Sequence, residues 1–187
     1  ASDDDGQLIA DRLVLNLWDD EPGYYNASTY YGEKRILAIG LSYQSDSDGG
    51  AAGGNNRSWG DFDNDPTTAD TLGGTAVDSA YSVDLLVEEN LEGLGTVTLD
   101  AAYYDYDGYA DNPISIYVGL LLNNEVDIIA KGRLRPYVRY VKDGLFGDET
   151  AFGVQHVING HKASITAEIA DDDSNGSSYG IGAQFQF

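Results

Sequence analysis

Apolar side chains recur at every second position over several stretches of this chain. From Ile36 to Gln44, Leu37, Ile39, Leu41 and Tyr43 alternate with Ala38, Gly40 and Ser42. From Tyr81 to Glu88, Tyr81, Val83, Leu85 and Val87 alternate with Ser82, Asp84, Leu86 and Glu88. Thr96–Tyr104 and Ala163–Ile169 repeat the pattern, and weaker versions cover Arg12–Trp18, Ile114–Asn123, Arg133–Lys142, Ala151–Ile158 and Tyr179–Phe187. Successive strand side chains point to opposite faces, so each stretch predicts a β-strand with one apolar face and one polar or small face. The pattern predicts an all-β chain of roughly nine antiparallel strands, each about 8–11 residues long, the length a tilted strand needs to cross a bilayer.

Parity then assigns faces. Leu37, Ile39, Leu41, Val83, Leu85, Val97, Leu99, Ile165, Ile169, Ile181 and Phe185 share one face. Ser42, Asp84, Thr98, Asp100, Arg135, Arg139, Thr166, Glu168 and Gln184 share the other. A slip of one residue would reverse every assignment, so the register is strongly specified. For a transmembrane β-barrel the first set faces lipid and the second lines the lumen.

The connections predict two ends. Asn159-Gly160 is a tight hairpin signal, and Asn90–Leu94 and Asn124–Ala130 are also short. Tyr106–Asn112, Asp143–Thr150, Asp171–Ser177 and above all Ser45–Asp78 are longer and acidic. The last holds seven Asp against one Arg. Short turns at one end and long loops at the other match the periplasmic and extracellular sides of an outer-membrane barrel. Asp19–Lys34 breaks the rule, because it is a long link that falls at the short-turn end. Aromatic residues gather near strand ends (Trp18, Tyr24, Tyr25, Tyr30, Tyr31, Tyr103, Tyr104, Tyr106, Tyr109, Tyr140, Phe185, Phe187), which predicts an interfacial girdle.

Composition narrows the function classes. The 187 residues read as a single domain, 1–187, with 23 Gly, 14 Tyr, no Cys and no Met. Mean hydropathy is −0.33, a value that a barrel with a polar lumen shares with water-soluble proteins. The net charge of −22 against 10 basic residues disfavours nucleic acid as a partner. The start at Ala1 and the odd strand count predict the distal piece of a longer barrel, paired in the membrane with its own N-terminal piece.

The sharpest motif is the closing stretch. Tyr179, Ile181, Ala183, Phe185 and Phe187 are apolar or aromatic at alternate positions up to a terminal Phe. It resembles the assembly signal of bacterial outer-membrane proteins, carried by Tyr179, Ile181, Phe185 and Phe187. Other segments are Trp18–Tyr25 with Ser28–Gly32, Ile36–Gln44, Gly95–Asp105, Leu134–Tyr140, Ile158–His161 and Gly182–Phe187. In order and spacing these segments resemble the C-terminal half of the phosphate-selective porins. The resemblance implies a trimeric, 16-stranded outer-membrane porin with no cofactor. It also implies anion selectivity resting on basic residues, which are few here.

Candidate chemistry lies at the inward parity. Arg133, Arg135 and Arg139 share a side with Tyr137, away from Leu134, Pro136, Val138 and Tyr140. Facing lipid, an Arg would cost roughly 2–4 kcal/mol at mid-membrane, so these should line the pore. Set against Asp84, Glu88, Asp100 and Glu168, the arginine column would give a transverse field. The plainer alternative is that these charges pair and hydrate the wall. Asp61, Asp63 and Asp65 alternate as calcium ligands do, but Pro66 and Leu72 stand where an EF-hand needs Gly and Glu. Asp105, Asp107 and Asp111 around Gly108 form a second such cluster. His161 with Ser164 is the one pairing a hydrolase could use, and it falls in a turn at the wrong end.

These readings converge on an outer-membrane porin, not an enzyme, that passes small ions and hydrophilic solutes by passive diffusion with weak cation preference. Lipid and a homotrimer are the expected partners. The rivals are a barrel serving as a surface-binding or structural module, and an outer-membrane hydrolase.

Overall fold

Wherever alternation was read, a strand forms. The computed structural model describes residues 8–21, 28–46, 79–106, 112–143 and 147–186. The strands are β1 (Leu8–Asn16), β2 (Ile36–Asp46), β3 (Ser79–Leu91), β4 (Gly95–Tyr106), β5 (Ile114–Leu122), β6 (Glu125–Asp127), β7 (Lys131–Lys142), β8 (Glu149–Asn159), β9 (Ala163–Asp172) and β10 (Gly176–Phe185). All pairings are antiparallel, in a single sheet of order β1-β2-β3-β4-β5-β7-β8-β9-β10. Nine strands thus lie on the path, as the periodicity predicts. The tenth, β6, folds back on β7 inside a stretch read as a plain turn. β1 and β10 pair with one neighbour each and not with one another, so the sheet is open among the described residues.

Residues directly opposite in an antiparallel pair share a face. One row therefore runs Leu37, Val87, Leu99, Val118, Val138, Phe152, Ile169, Tyr179 across eight strands. The matching row on the other face runs Ile36, Glu88, Thr98, Gly119, Tyr137, Gly153, Glu168, Gly180. Both parity sets fall on the faces predicted for them.

The faces are inverted relative to a water-soluble sheet. On the apolar face Val118 is 44 %, Phe152 60 % and Ile181 87 % exposed. On the polar face Glu88 is 0 % and Arg135 4 % exposed. The exposed apolar face spans nearly the whole sheet, whereas soluble monomers rarely bare a contiguous patch beyond a few hundred Å². The polar face is crowded because residues 29–32 lie upon it, and small apolar clusters pack there. Ile36, Ala38 and Leu86 meet Val14 and Tyr30, and Leu121 and Val157 meet Tyr31.

Two further connections differ from expectation. Asp171–Ser177 is not a long loop, because the strands run on to Asp172 and from Gly176. Asp172 Oδ1 accepts from the amides of Ser174 and Asn175, both at 2.7 Å. This short Asx turn lets the ladder continue almost to the tip. Tyr30 and Tyr31, assigned to an aromatic girdle, instead turn onto the polar face. Asp61, Asp63, Asp65, Asp107, Asp111 and Phe187 lie outside the described residues, as does most of Ser45–Asp78.

Candidate functional site

The polar face carries its chemistry near the short-turn end, where residues 29–32 of the link between β1 and β2 lie on it as a strap. The latch is Glu88 on β3. Its carboxylate accepts from Thr29 Oγ1 at 2.7 Å, the Tyr30 amide at 3.0 Å, the Gly32 amide at 2.7 Å and Thr98 Oγ1 at 3.1 Å. A buried carboxylate is tolerated when its oxygens are saturated in this way. Tyr31 adopts φ 55° and Gly32 φ 84°, which aims consecutive strap groups at the latch. Gly32 has no room for a Cβ against Thr96, so this position requires glycine twice over.

The same residues of the strap also reach β7 and the β8–β9 turn. Arg133 Nη2 donates to the Tyr31 carbonyl at 3.2 Å. His161 Nε2 lies 2.9 Å from the Thr29 carbonyl, and its ring meets Tyr31 edge-on at 4.8 Å. One short segment thus touches β3, β7 and the β8–β9 turn together, so the sheet must curl around it with the polar face concave.

Arg135 lies under the strap. Its guanidinium sits 5.4 Å from the Tyr31 ring centre and 5.1 Å from that of Tyr117. Tyr117 stacks in turn on Tyr137 at 5.2 Å. Arg135 has no carboxylate partner among the described residues, and its buried Nε has no hydrogen-bond partner. The aromatic faces provide part of what an ion pair would supply.

The remaining charges meet across glycines. Arg12 on β1 pairs with Asp84 on β3 at 2.7 Å, passing over Gly40 on β2, where a Cβ would strike both side chains. Arg139 on β7 reaches Glu168 on β9 at 3.0 Å, and Tyr137 donates to the same carboxylate at 2.7 Å, its ring lying over Gly153 on β8. Arg139 also pairs with Glu149 at 2.7 Å. Asp100 is half-buried beside Asp84 and lines, with Glu21 and Ser28, a cleft of about 290 Å³.

Arg133, Arg135, Tyr137 and Arg139, and the carboxylates Asp84, Glu88, Asp100 and Glu168 set against them, all lie on the polar face, but the basic column and the carboxylates do not confront each other as two opposed walls. Glu168 belongs with Arg139, Asp84 with Arg12, and Glu88 with the strap. Sequence reasoning missed Arg12, Thr29, Tyr117 and the glycine saddles. Glycines at inward parity between long polar neighbours were the available signal.

The pair considered for hydrolysis is not assembled. His161 Nε2 is occupied by the Thr29 carbonyl, and Ser164 Oγ accepts from Gln155 at 3.1 Å. His156, opposite Leu134, sits on the apolar face, yet it is buried and neither ring nitrogen has a hydrogen-bond partner. No three His, Asp or Glu side chains converge as a metal site among the described residues.

The class these features define is an all-β protein made of one antiparallel sheet, apolar on its open face and strapped on its polar, concave face. Comparison with protein-family profiles, with curated proteins and with solved structures returns no match.

Proposed function

We propose that this chain forms part of the wall of a water-filled β-barrel in the bacterial outer membrane, through which ions and small hydrophilic solutes diffuse passively. The inversion of the sheet supports this reading above all else. An apolar face this wide and bare needs an apolar solvent, and charged residues on the opposite face need water. Lipid is the partner of the apolar face, and the open sheet edges gain backbone partners when the barrel closes. Selectivity follows from lumen width and charge, with no chemical step.

The strap favours one second reading, a plugged barrel that serves as a structural or surface-binding module. Purified protein in planar bilayers separates the two. Stepwise ohmic conductance is expected for the pore, and a silent bilayer with protein demonstrably inserted would sink it.

A further inference from the structure

We infer that a diagonal line of tyrosines on the polar face is a binding track for neutral oligosaccharides, with the cleft beside Tyr104 as one of its subsites. The inference rests on the pore reading, which puts water on this face, and deepens it by naming the solute class.

Tyr104 and Tyr106 belong by sequence with the interfacial aromatics, yet parity sets both on the polar face, at the even positions of β4 with Thr98 and Asp100. Their rings stack 6.1 Å apart and nearly parallel, at 3°. Toward the strap, register continues the line across neighbouring strands. Asp100 lies opposite Tyr117 on β5, and Thr98 shares its row with Tyr137 on β7 through Gly119. Tyr117 and Tyr137 form a second stack, 5.2 Å apart. Between the two stacks the facing pair is Ala102 and Ser115, too small to obstruct a chain lying along the rings. From Tyr106 to the row of Thr98 is eight residues along β4, about 27 Å at roughly 3.4 Å per residue. The line therefore outreaches a disaccharide.

The groups beside the rings suit hydroxyls rather than a charged solute. Arg12 is paired with Asp84, and Arg139 with Glu149 and Glu168, so charges along the line compensate one another while still offering donors and acceptors. A pyranose has the complementary form. Its C–H face lies flat on an aromatic ring, and its hydroxyl edge both donates and accepts. The cleft of about 290 Å³ brings the two features together, because Tyr104 lines it with Arg12, Asp84, Asp100 and Glu21. Among the described residues, the Tyr104 and Tyr117 hydroxyls and the Asp100 carboxylate have no hydrogen-bond partner in the protein. On the apolar face, by contrast, the Tyr81 and Tyr103 hydroxyls are engaged by Asp105 and Asn112.

The full chain is tested in planar bilayers and, in detergent micelles, by calorimetric titration, with a linear glucose hexasaccharide as the probe. The sugar should interrupt single-channel current at millimolar concentration and give a saturable heat in micelles. A polyethylene glycol of similar mass, which lacks pyranose faces and rows of hydroxyls, should do neither. Tyr104→Ala and Tyr117→Ala should each weaken sugar binding severalfold, up to about tenfold, the size of one lost aromatic contact. Tyr104→Phe keeps the ring and should lose much less. Tyr43→Ala, on the apolar face, should bind as the wild type does.

A conducting wild type that the sugar neither blocks nor titrates would overturn the inference and leave the pore reading standing, and this result needs no variant to fold. Equal weakening by Tyr43→Ala, or block by the polymer as strong as by the sugar, would overturn it too. Sugar heat in micelles with a silent bilayer would keep the binding track and sink passive diffusion. A silent bilayer without heat would fell both.

Discussion

Glu88 and Arg135 sit a few residues apart in depth on the same wall, yet they solve burial differently. Glu88 is saturated with donors, whereas Arg135 relies on the faces of Tyr31 and Tyr117. Deleting the carboxylate strands several buried donors at once, and each stranded group costs about 1–3 kcal/mol. Glu88→Ala should therefore lower unfolding stability by about 3 kcal/mol or more in a urea titration of the micelle-bound protein. The Arg12–Asp84 pair is the contrasting case, since its Arg12 side chain is nearly half exposed. Exposed pairs contribute about 0–1 kcal/mol, so Arg12→Ala should shift the same midpoint only slightly. A drop for Arg12→Ala as large as that for Glu88→Ala would show that the pair, rather than the latch, holds this wall together.

At the scale of the strand, alternation was legible because the side-chain period of two is a local property of extended backbone. No tertiary knowledge is needed to place Val118 with Val138 and Phe152 on one face. Some strands overrun the stretches read for them: β3 spans Ser79–Leu91, where alternation was plain only from Tyr81 to Glu88. Ladder hydrogen bonds extend past the last well-patterned side chain because they need only backbone. The face inversion also makes a charge test decisive. Val138 is 41 % exposed. In a water-soluble protein an Arg there would be harmless, but at mid-membrane it should cost about 2–4 kcal/mol. Folding of Val138→Arg into lipid vesicles should be weakened by that amount, while Thr166→Arg on the polar face should fold normally. Equal tolerance of both would argue against lipid on the apolar face.

Across the whole molecule, charge divides between paired wall residues and acidic surroundings. Arg12 and Arg139 are neutralised by carboxylates, and Arg135 is the buried cation without one among the described residues. The net charge is −22, and much of it lies in the acidic connections. Loop charges act over only about 8 Å at physiological salt, so in the proposed pore they would bias the mouth more than the bore. Reversal potentials across a KCl gradient should show a weak cation preference. Strong anion selectivity would mean that Arg135 and its neighbours dominate the field. The free edges of β1 and β10 are a second property at this scale. Unpaired backbone is too costly to persist in hydrocarbon, so a partner strand must cover each edge wherever the sheet sits in lipid.

What the sequence determined by itself was everything that alternation encodes: strands, their faces, and which charges share a side. These follow from a repeat of two residues and from turn chemistry, both readable within a short window. Only the tertiary structure decided which charges meet. Arg139 finds Glu168 rather than an opposing wall because inter-strand register sets it diagonally across β8 from Glu168, beside Tyr137 and Gly153, and parity alone carries no register. The strap was likewise out of reach. Its residues Thr29, Tyr30 and Gly32 are fixed by Glu88, between 56 and 59 positions away, and Thr29 by His161, 132 positions away. Nothing local distinguishes a tyrosine-rich link that lies at an interface from one that folds inward, because the partners that pull it inward become neighbours only when the sheet curls.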